Sequence, residues 1–244
     1  MLHPSKRSGS AERMTISWFL VAEHPHASLD GTTSDGILDA VRATQGVRQA
    51  LLFTPTVARD PYLDDGRAPM FALELAFAAI EELEAALACN GALHRIPAIL
   101  AATPGVRLTE QAMLARSFAV PSPVFQTAPE SLPCTYLVAY EGRAADLNAW
   151  LGHYIAHHPP IMARFPGIRA IAIYTRLDWC SALPATRGDA FQRNKVVFDD
   201  AESLQAALNS AVRDEMRADF HRFPPFDGRN THYAMHTTLV TPRA

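Results

Sequence analysis

Apolar positions along this chain recur with two different periods, and the changes of period mark its elements. Thr15 to Glu23, T-I-S-W-F-L-V-A-E, is an apolar and β-branched run of strand length, and Ser34 to Thr44 opens on a helix-capping serine and continues at helical spacing. Val47 to Thr54 and Met70 to Ala78 again read as strands, Ile80 to Ala88 as a helix and Gln111 to Val120 as a strand. Thr56 to Pro69 gathers Pro, Asp and Gly and predicts an exposed loop, while Asn90 to Leu108 predicts helical pieces broken at Pro97 and Pro104. Pro121 to Pro133 then holds four prolines in a polar stretch, the composition of a linker.

Beyond the linker the same succession returns. Cys134 to Tyr140, Ile168 to Arg176, Phe191 to Phe198 and His232 to Val240 predict strands, and Ala144 to His158 and Ala201 to Phe220 predict helices. The likeness extends to residues: Gly46-Val-Arg-Gln-Ala-Leu-Leu-Phe-Thr54 returns as Gly167-Ile-Arg-Ala-Ile-Ala-Ile-Tyr-Thr175, and Glu81-Glu-Leu-Glu-Ala-Ala-Leu87 as Glu202-Ser-Leu-Gln-Ala-Ala-Leu208. Phe19-Leu-Val-Ala22 similarly resembles Tyr136-Leu-Val-Ala139. Each half has the order β-α-β-β-α-β, the ferredoxin-like arrangement, whose helices cover one face of the sheet and leave the other to be buried elsewhere. The expected fold class is therefore α+β: two tandem ferredoxin-like units, residues 14–120 and 134–244, joined by the linker 121–133 and packed sheet to sheet as an α+β barrel within one chain. Residues 1–13 are polar and expected to fray. The alternative, in which each unit pairs with another molecule as in a homodimer, asks more of the linker.

Composition narrows the class. With 48% hydrophobic residues over 244 positions the chain can bury sizeable cores. A net charge of −3 and no dense Lys/Arg run argue against a nucleic-acid partner. The apolar run Ile16 to Ala22 is too short to span a membrane. Cys89, Cys134 and Cys180 are widely spaced, as expected of reduced thiols in a soluble cytoplasmic protein.

The stretch from Asp146 to Gly167, D-L-N-A-W-L-G-H-Y-I-A-H-H-P-P-I-M-A-R-F-P-G, concentrates the candidate chemistry. On a helix Leu147, Leu151, Tyr154 and His158 share a narrow sector flanked by Trp150 and Ile155, whereas His157 lies at its edge and His153 further round. Pro159 and Pro160 predict that the helix ends or kinks at about His158. There the helix dipole favours imidazolium and apolar surroundings favour the neutral ring, the balance that suits a general acid or base. A packed or capping histidine without chemistry is the bland alternative. His153 and His157 could chelate a metal, but there is no H-E-x-x-H and no well-spaced carboxylate, and no Gly-rich phosphate cradle follows a strand. No metal and no cofactor are predicted.

Trp150, Tyr154, His158-Pro159-Pro160 and Pro166-Gly167 resemble the helix motif of EthD-like proteins of the dimeric α+β barrel group: an aromatic, a second aromatic four residues on, H-x-P, then P-G before a strand. The resemblance covers roughly residues 134 to 241. The first half departs from it, since Asp35 to Thr44 has neither histidine nor H-x-P, and one functional pocket per chain is expected. The resemblance implies a ligand held between sheet and helices, and a group that includes cofactor-free monooxygenases, polyketide cyclases, muconolactone isomerases and haem-using enzymes. The expected activity is cofactor-independent acid/base work on a small apolar carbonyl or phenolic compound, with His158 moving the proton and Tyr154 orienting the substrate. Trp150, His157, Tyr140, Tyr174, Arg176, His232 and His236 are the further candidates for substrate contact; His232 and His236 share a strand face but stand roughly 13 Å apart. A non-catalytic ligand-binding or accessory scaffold and a haem-binding barrel are the alternatives.

Overall fold

Strand-length apolar runs and helical spacings become, in chain order, β1 (Thr15–Glu23), α1 (Gly31–Arg42), β2 (Gln49–Pro55), β3 (Phe71–Phe77), α2 (Ile80–Ala86), α3 (Arg95–Leu100), β4 (Arg107–Phe118), β5 (Cys134–Ala144), α4 (Leu147–Met162), β6 (Ile168–Arg176), β7 (Thr186–Arg187), β8 (Ala190–Phe198), α5 (Ala201–Leu208), α6 (Ala211–Phe220) and β9 (Phe226–Val240). The structure is a computed structural model that describes residues 15–241. The tail 1–13 lies outside the described residues.

The eight long strands close into an antiparallel barrel in the order β4-β1-β3-β2-β9-β5-β8-β6, with β6 returning to β4. The two-residue β7 lies parallel along β4. Alternation along the strands sorts side chains into an interior and an outer layer. Phe19, Leu51, Phe53, Ala72, Met113, Leu137, Tyr174 and Met235 fill the barrel. Also inside, the Glu74 carboxylate accepts from Ser17 Oγ at 2.8 Å, Tyr174 Oη at 2.9 Å and Lys195 Nζ at 2.6 Å, so this buried charge is paired and hydrogen-bonded. Outside the barrel, α1 to α3 pack on the sheet of the first half around Trp18, Leu73, Leu75 and Ile96. The helices α4 to α6 cover that of the second half around Tyr140, Trp150, Phe191 and Leu204.

Several boundaries differ from those predicted. Helix α4 does not stop at His158 but runs through Pro159 and Pro160 to Met162, and Ala163 N–H closes its end on Pro159 O at 2.9 Å. The two prolines remove donors that would have met the carbonyls of Ile155 and Ala156. Ala156 is exposed and Ile155 half-buried, so the lost bonds fall toward solvent and the helix continues. The single helix predicted from Ala201 to Phe220 is two, broken at Asn209 and Ser210, where Ser210 Oγ donates to Ala207 O. Helix α1 begins three residues before the expected serine, at Gly31, because the Asp30 side chain caps it by accepting from Thr33 N–H. Strand β9 starts at Phe226 rather than His232, pairing with an extension of β5 to Ala144. In that extension Gly142 (φ 96°) faces Gly228 (φ 150°), and a Cβ at either would meet the opposite backbone at 2.2 Å or less. Only glycine fits this crossing.

Candidate active site

Strand β5 turns Tyr136, Val138 and Tyr140 toward the helices, and its partner β9 turns Asn230 and His232 the same way, opposite Tyr140 and Val138. Helix α4 lies across them with Trp150, Tyr154, His158 and Met162 buried. Trp150 and Tyr154 stack at 5.1 Å between ring centroids and 11° between planes. The next ring on this face is His158, 4.7 Å from Tyr154 and 4.9 Å from Phe223.

Helix α6 supplies what the α4 motif lacks. Its apolar stripe runs Val212, Met216, Phe220 and on to Phe223, and Asp219 falls within the same stripe, buried. One carboxylate oxygen of Asp219 lies 2.8 Å from His158 Nδ1 and the other 3.1 Å from His153 Nε2. Burial pushes the His158 pKa below the usual 6.5, more than the hydrogen bond and charge of Asp219 raise it, and the nearby His232 and Arg213 add to the depression. Burial alone would raise the Asp219 carboxyl, but hydrogen bonds from His158 and His153 outweigh it and hold the group below 3.8. The pair at neutral pH is thus an ionised Asp219 and a neutral His158 that donates from Nδ1. Nε2, with no hydrogen-bond partner among the described residues, is left as the basic edge.

That ring borders a cavity of about 120 Å³ between sheet and helices, walled by Tyr136, Val138, Tyr140, Met162, Met216 and Phe220 and edged by Asn194, Asn230, Arg213 and His232. An engineered apolar cavity of about 150 Å³ holds one benzene ring, so this space suits a single small ring or its equivalent. Burial raises the pKa values of Tyr136 and Tyr140, keeping both phenols protonated.

The β2–β3 loop of the first half closes the cavity from outside, and Leu63 forms part of its wall. Asp60 accepts from Arg213 Nε at 2.7 Å, Arg213 Nη2 at 3.0 Å and the Tyr136 hydroxyl at 3.1 Å. Asp65 accepts from both the backbone N–H and Nδ1 of His232, each at 2.9 Å. Gln205 on α5 accepts from Arg59 N–H at 2.7 Å and donates to Arg59 O at 2.9 Å, and the Tyr62 hydroxyl donates to Asp214. Predicted as an exposed loop, this segment is tied along its length to the other half.

Of the residues singled out from sequence, the structure brings His158, Tyr140 and His232 to one cavity. Tyr154 and Trp150 are fully buried behind it, and the Tyr154 hydroxyl accepts from the Asn194 amide, which does reach the cavity. His157 is exposed beside His153. Tyr174 points into the barrel toward Glu74, and Arg176 is exposed at the end of β6. His236 shares the β9 face of His232 but sits beside Cys134 and Thr54, away from the cavity. Sequence reasoning missed Asp219, Asp65, Arg213, Asn194 and Asn230. For Asp219 a signal existed: an acid on the apolar stripe of an amphipathic helix.

Among the described residues no three His, Cys, Asp or Glu side chains converge as metal ligands. His153, half of the candidate chelating pair, is bound to Asp219 instead. A haem macrocycle is several times larger than the ring this cavity admits and does not fit between β5 and α6 as they stand. The three cysteines are free, and among the described residues no helix is long and apolar enough to cross a membrane.

No protein-family model matches the sequence, and no curated protein does. Solved structures do share its fold. An anthrone oxidase-like protein superimposes with a TM-score of 0.59 at 12% identity, over 96% of each chain. A monooxygenase-like protein from Fusobacterium nucleatum does so with a TM-score of 0.54 at 10% identity, over 93% of this chain and 94% of that one. An EthD family protein from Bacillus halodurans matches 42% of this chain and 96% of its own at 21% identity, with a TM-score of 0.35. The fold is that of the dimeric α+β barrel proteins, closed here within one polypeptide.

Proposed function

We propose that the chain is a small-molecule enzyme whose reaction begins with removal of a proton from a compact, largely apolar carbonyl or phenolic compound, with His158 as the base and no cofactor in that step. The observation that carries this is the pinned imidazole: Asp219 takes Nδ1, so Nε2 is the nitrogen left with a lone pair on a ring that borders a small apolar cavity. Proton transfer to Nε2 makes an imidazolium that the Asp219 carboxylate stabilises without moving. Arg213 and Asn230 border the same cavity and are the groups from which the developing oxyanion draws its donors. Tyr154 acts as a positioning residue, fixing the Asn194 amide. The resulting enolate or phenolate is reprotonated at another carbon in an isomerase, adds to a carbonyl of the same molecule in a cyclase, with the alkoxide so formed taking the proton back, or attacks dioxygen in an oxygenase. The fold likeness to anthrone oxidase-like and monooxygenase-like proteins supports the second continuation no more than the first.

The same reading takes residues 14–120 and 134–244 as two ferredoxin-like units joined by 121–133. In its support, β4-β1-β3-β2 and β9-β5-β8-β6 repeat one strand order, and Gly46 (φ 79°) and Gly167 (φ 75°) make matching left-handed turns into β2 and β6. Helix α1 carries no histidine, so the site is single.

The test is a thermal-shift screen of single-ring phenols and ketones on the wild type and His158→Ala, followed by NMR of each hit in D₂O. Hits are expected to exchange a carbon-bound acidic proton, α to the ketone or ortho to the phenol hydroxyl, for deuterium faster with the wild type and at the uncatalysed rate with His158→Ala. Equal binding and exchange with both proteins would remove His158 from the chemistry.

A further inference from the structure

The barrel holds a second cavity, unconnected with the His158 chemistry. It measures about 340 Å³ and lies at the end of the barrel where β1 and β5 finish and β4 begins. Arg193 projects into it from β8, on the strand face shared with the interior residue Lys195 and opposite the interior Tyr174 of β6. Its side chain makes no ion pair and no hydrogen bond with any described residue. It is only 6% exposed, Nε is buried without a partner, and its guanidinium lies over the Phe19 ring, 5.6 Å away. A buried guanidinium without a carboxylate is costly, and proteins keep such groups where a ligand completes them.

Charge counting says what would complete it. Arg107 pairs with Glu23 and Arg229 with Glu141, each at 2.7 Å, and these four charges cancel at the rim. Arg187, stacked 4.0 Å over Trp179, and Arg193 remain against Asp189, so the lining carries one net positive charge. Glu23, Glu141 and Asp189 are the acids that act on Arg193, all too far to pair with it, and burial lowers its pKa more than they raise it. One surplus charge among three acids balances a monoanion and leaves the second charge of a phosphate dianion uncompensated. A planar carboxylate also matches the guanidinium fork in two parallel hydrogen bonds. Val21, Leu137 and Tyr233 on the same wall offer apolar surface to the remainder of the molecule.

We propose that the mouth of the barrel is a second ligand site, which binds a small organic monocarboxylate with its carboxylate on Arg193 and its apolar part against Val21, Leu137 and Tyr233. The site stands independently of the acid/base reading of the His158 cavity.

The experiment is titration calorimetry of the full chain with benzoate and hexanoate, with benzamide and inorganic phosphate as controls, on the wild type, Arg193→Met, Arg193→Lys and His158→Ala. Benzoate or hexanoate is expected to bind the wild type and His158→Ala alike, and benzamide and phosphate to bind neither. Arg193→Met is expected to weaken binding by at least about thirtyfold, the lower end of the loss for one partner of a desolvated charge pair. Arg193→Lys keeps the charge but not the fork and is expected to fall between; it decides the matter if Arg193→Met does not fold. Absence of carboxylate binding to the wild type, equal binding to the Arg193 variants, or loss of binding in His158→Ala alone would each overturn the proposal.

Discussion

At the scale of single residues the site rests on one contact, Asp219 to His158 Nδ1. Its titration has a definite sign. The native pKa of His158 lies below 6.5 because burial opposes the charge, and Asp219 offsets part of that. Observed by NMR, the ring is expected to carry its proton on Nδ1 and to titrate below pH 6.5, and Asp219→Asn is expected to lower that midpoint further. A wild-type midpoint at or above 6.5 would contradict the account. With His158 as the proposed base the active form is the neutral ring, so turnover should be level through neutrality and fall as pH drops through that midpoint. Stability follows the same direction: the unfolded ring takes its proton near 6.5 and the native one only below it, so the native state is penalised as pH falls below 6.5 and the effect is absent above. His158 was legible in sequence because spacing on one helix places it among aromatics. Asp219 was not singled out, because its partner lies 61 residues away and only the apolar stripe of α6 marks it.

At the scale of elements, α4 shows how a local rule yields to its surroundings. Two prolines predict an end at His158, yet the helix passes through them because the carbonyls they leave unpaired are not sealed in the core. The β2–β3 loop is the reverse case. Its Pro, Asp and Gly content predicts exposure correctly for Tyr62 and Gly66, but composition has no mark for the destination of Asp60 and Asp65. Asp60 and Arg213 are 4% and 11% exposed at their side chains, so their pair is shielded from solvent. Asp60→Ala leaves that guanidinium without its acid, and a loss on the order of 3 kcal/mol is expected in denaturant unfolding. Amide exchange should rise across residues 56–69 while strands β5 and β9 stay protected, a pattern hydrogen exchange resolves. Unchanged exchange in the loop would mean that the clasp does not hold it.

At the scale of the molecule, the barrel interior draws on both halves, with Phe19, Phe53 and Met113 meeting Leu137, Tyr174 and Met235. Neither half alone can bury that face. A fragment of residues 134–244 is therefore expected to self-associate or aggregate in size-exclusion chromatography, and to be recovered as a one-to-one complex when expressed with residues 1–133. A well-behaved monomeric fragment would show that closure is dispensable. Most of the strands and helices were readable, because the hydrophobic period changes where one element gives way to the next. The seams β2–β9 and β4–β6 were not, since edge pairings so distant in sequence leave no periodic trace. Covering one cavity with a loop from the opposite half has a practical corollary. In an assembly of identical subunits every substitution in that loop would be felt twice, once at each pocket. Here the symmetry is broken, and a combinatorial library confined to residues 56–69 could retune which guest is admitted while His158 and Asp219 stay as they are.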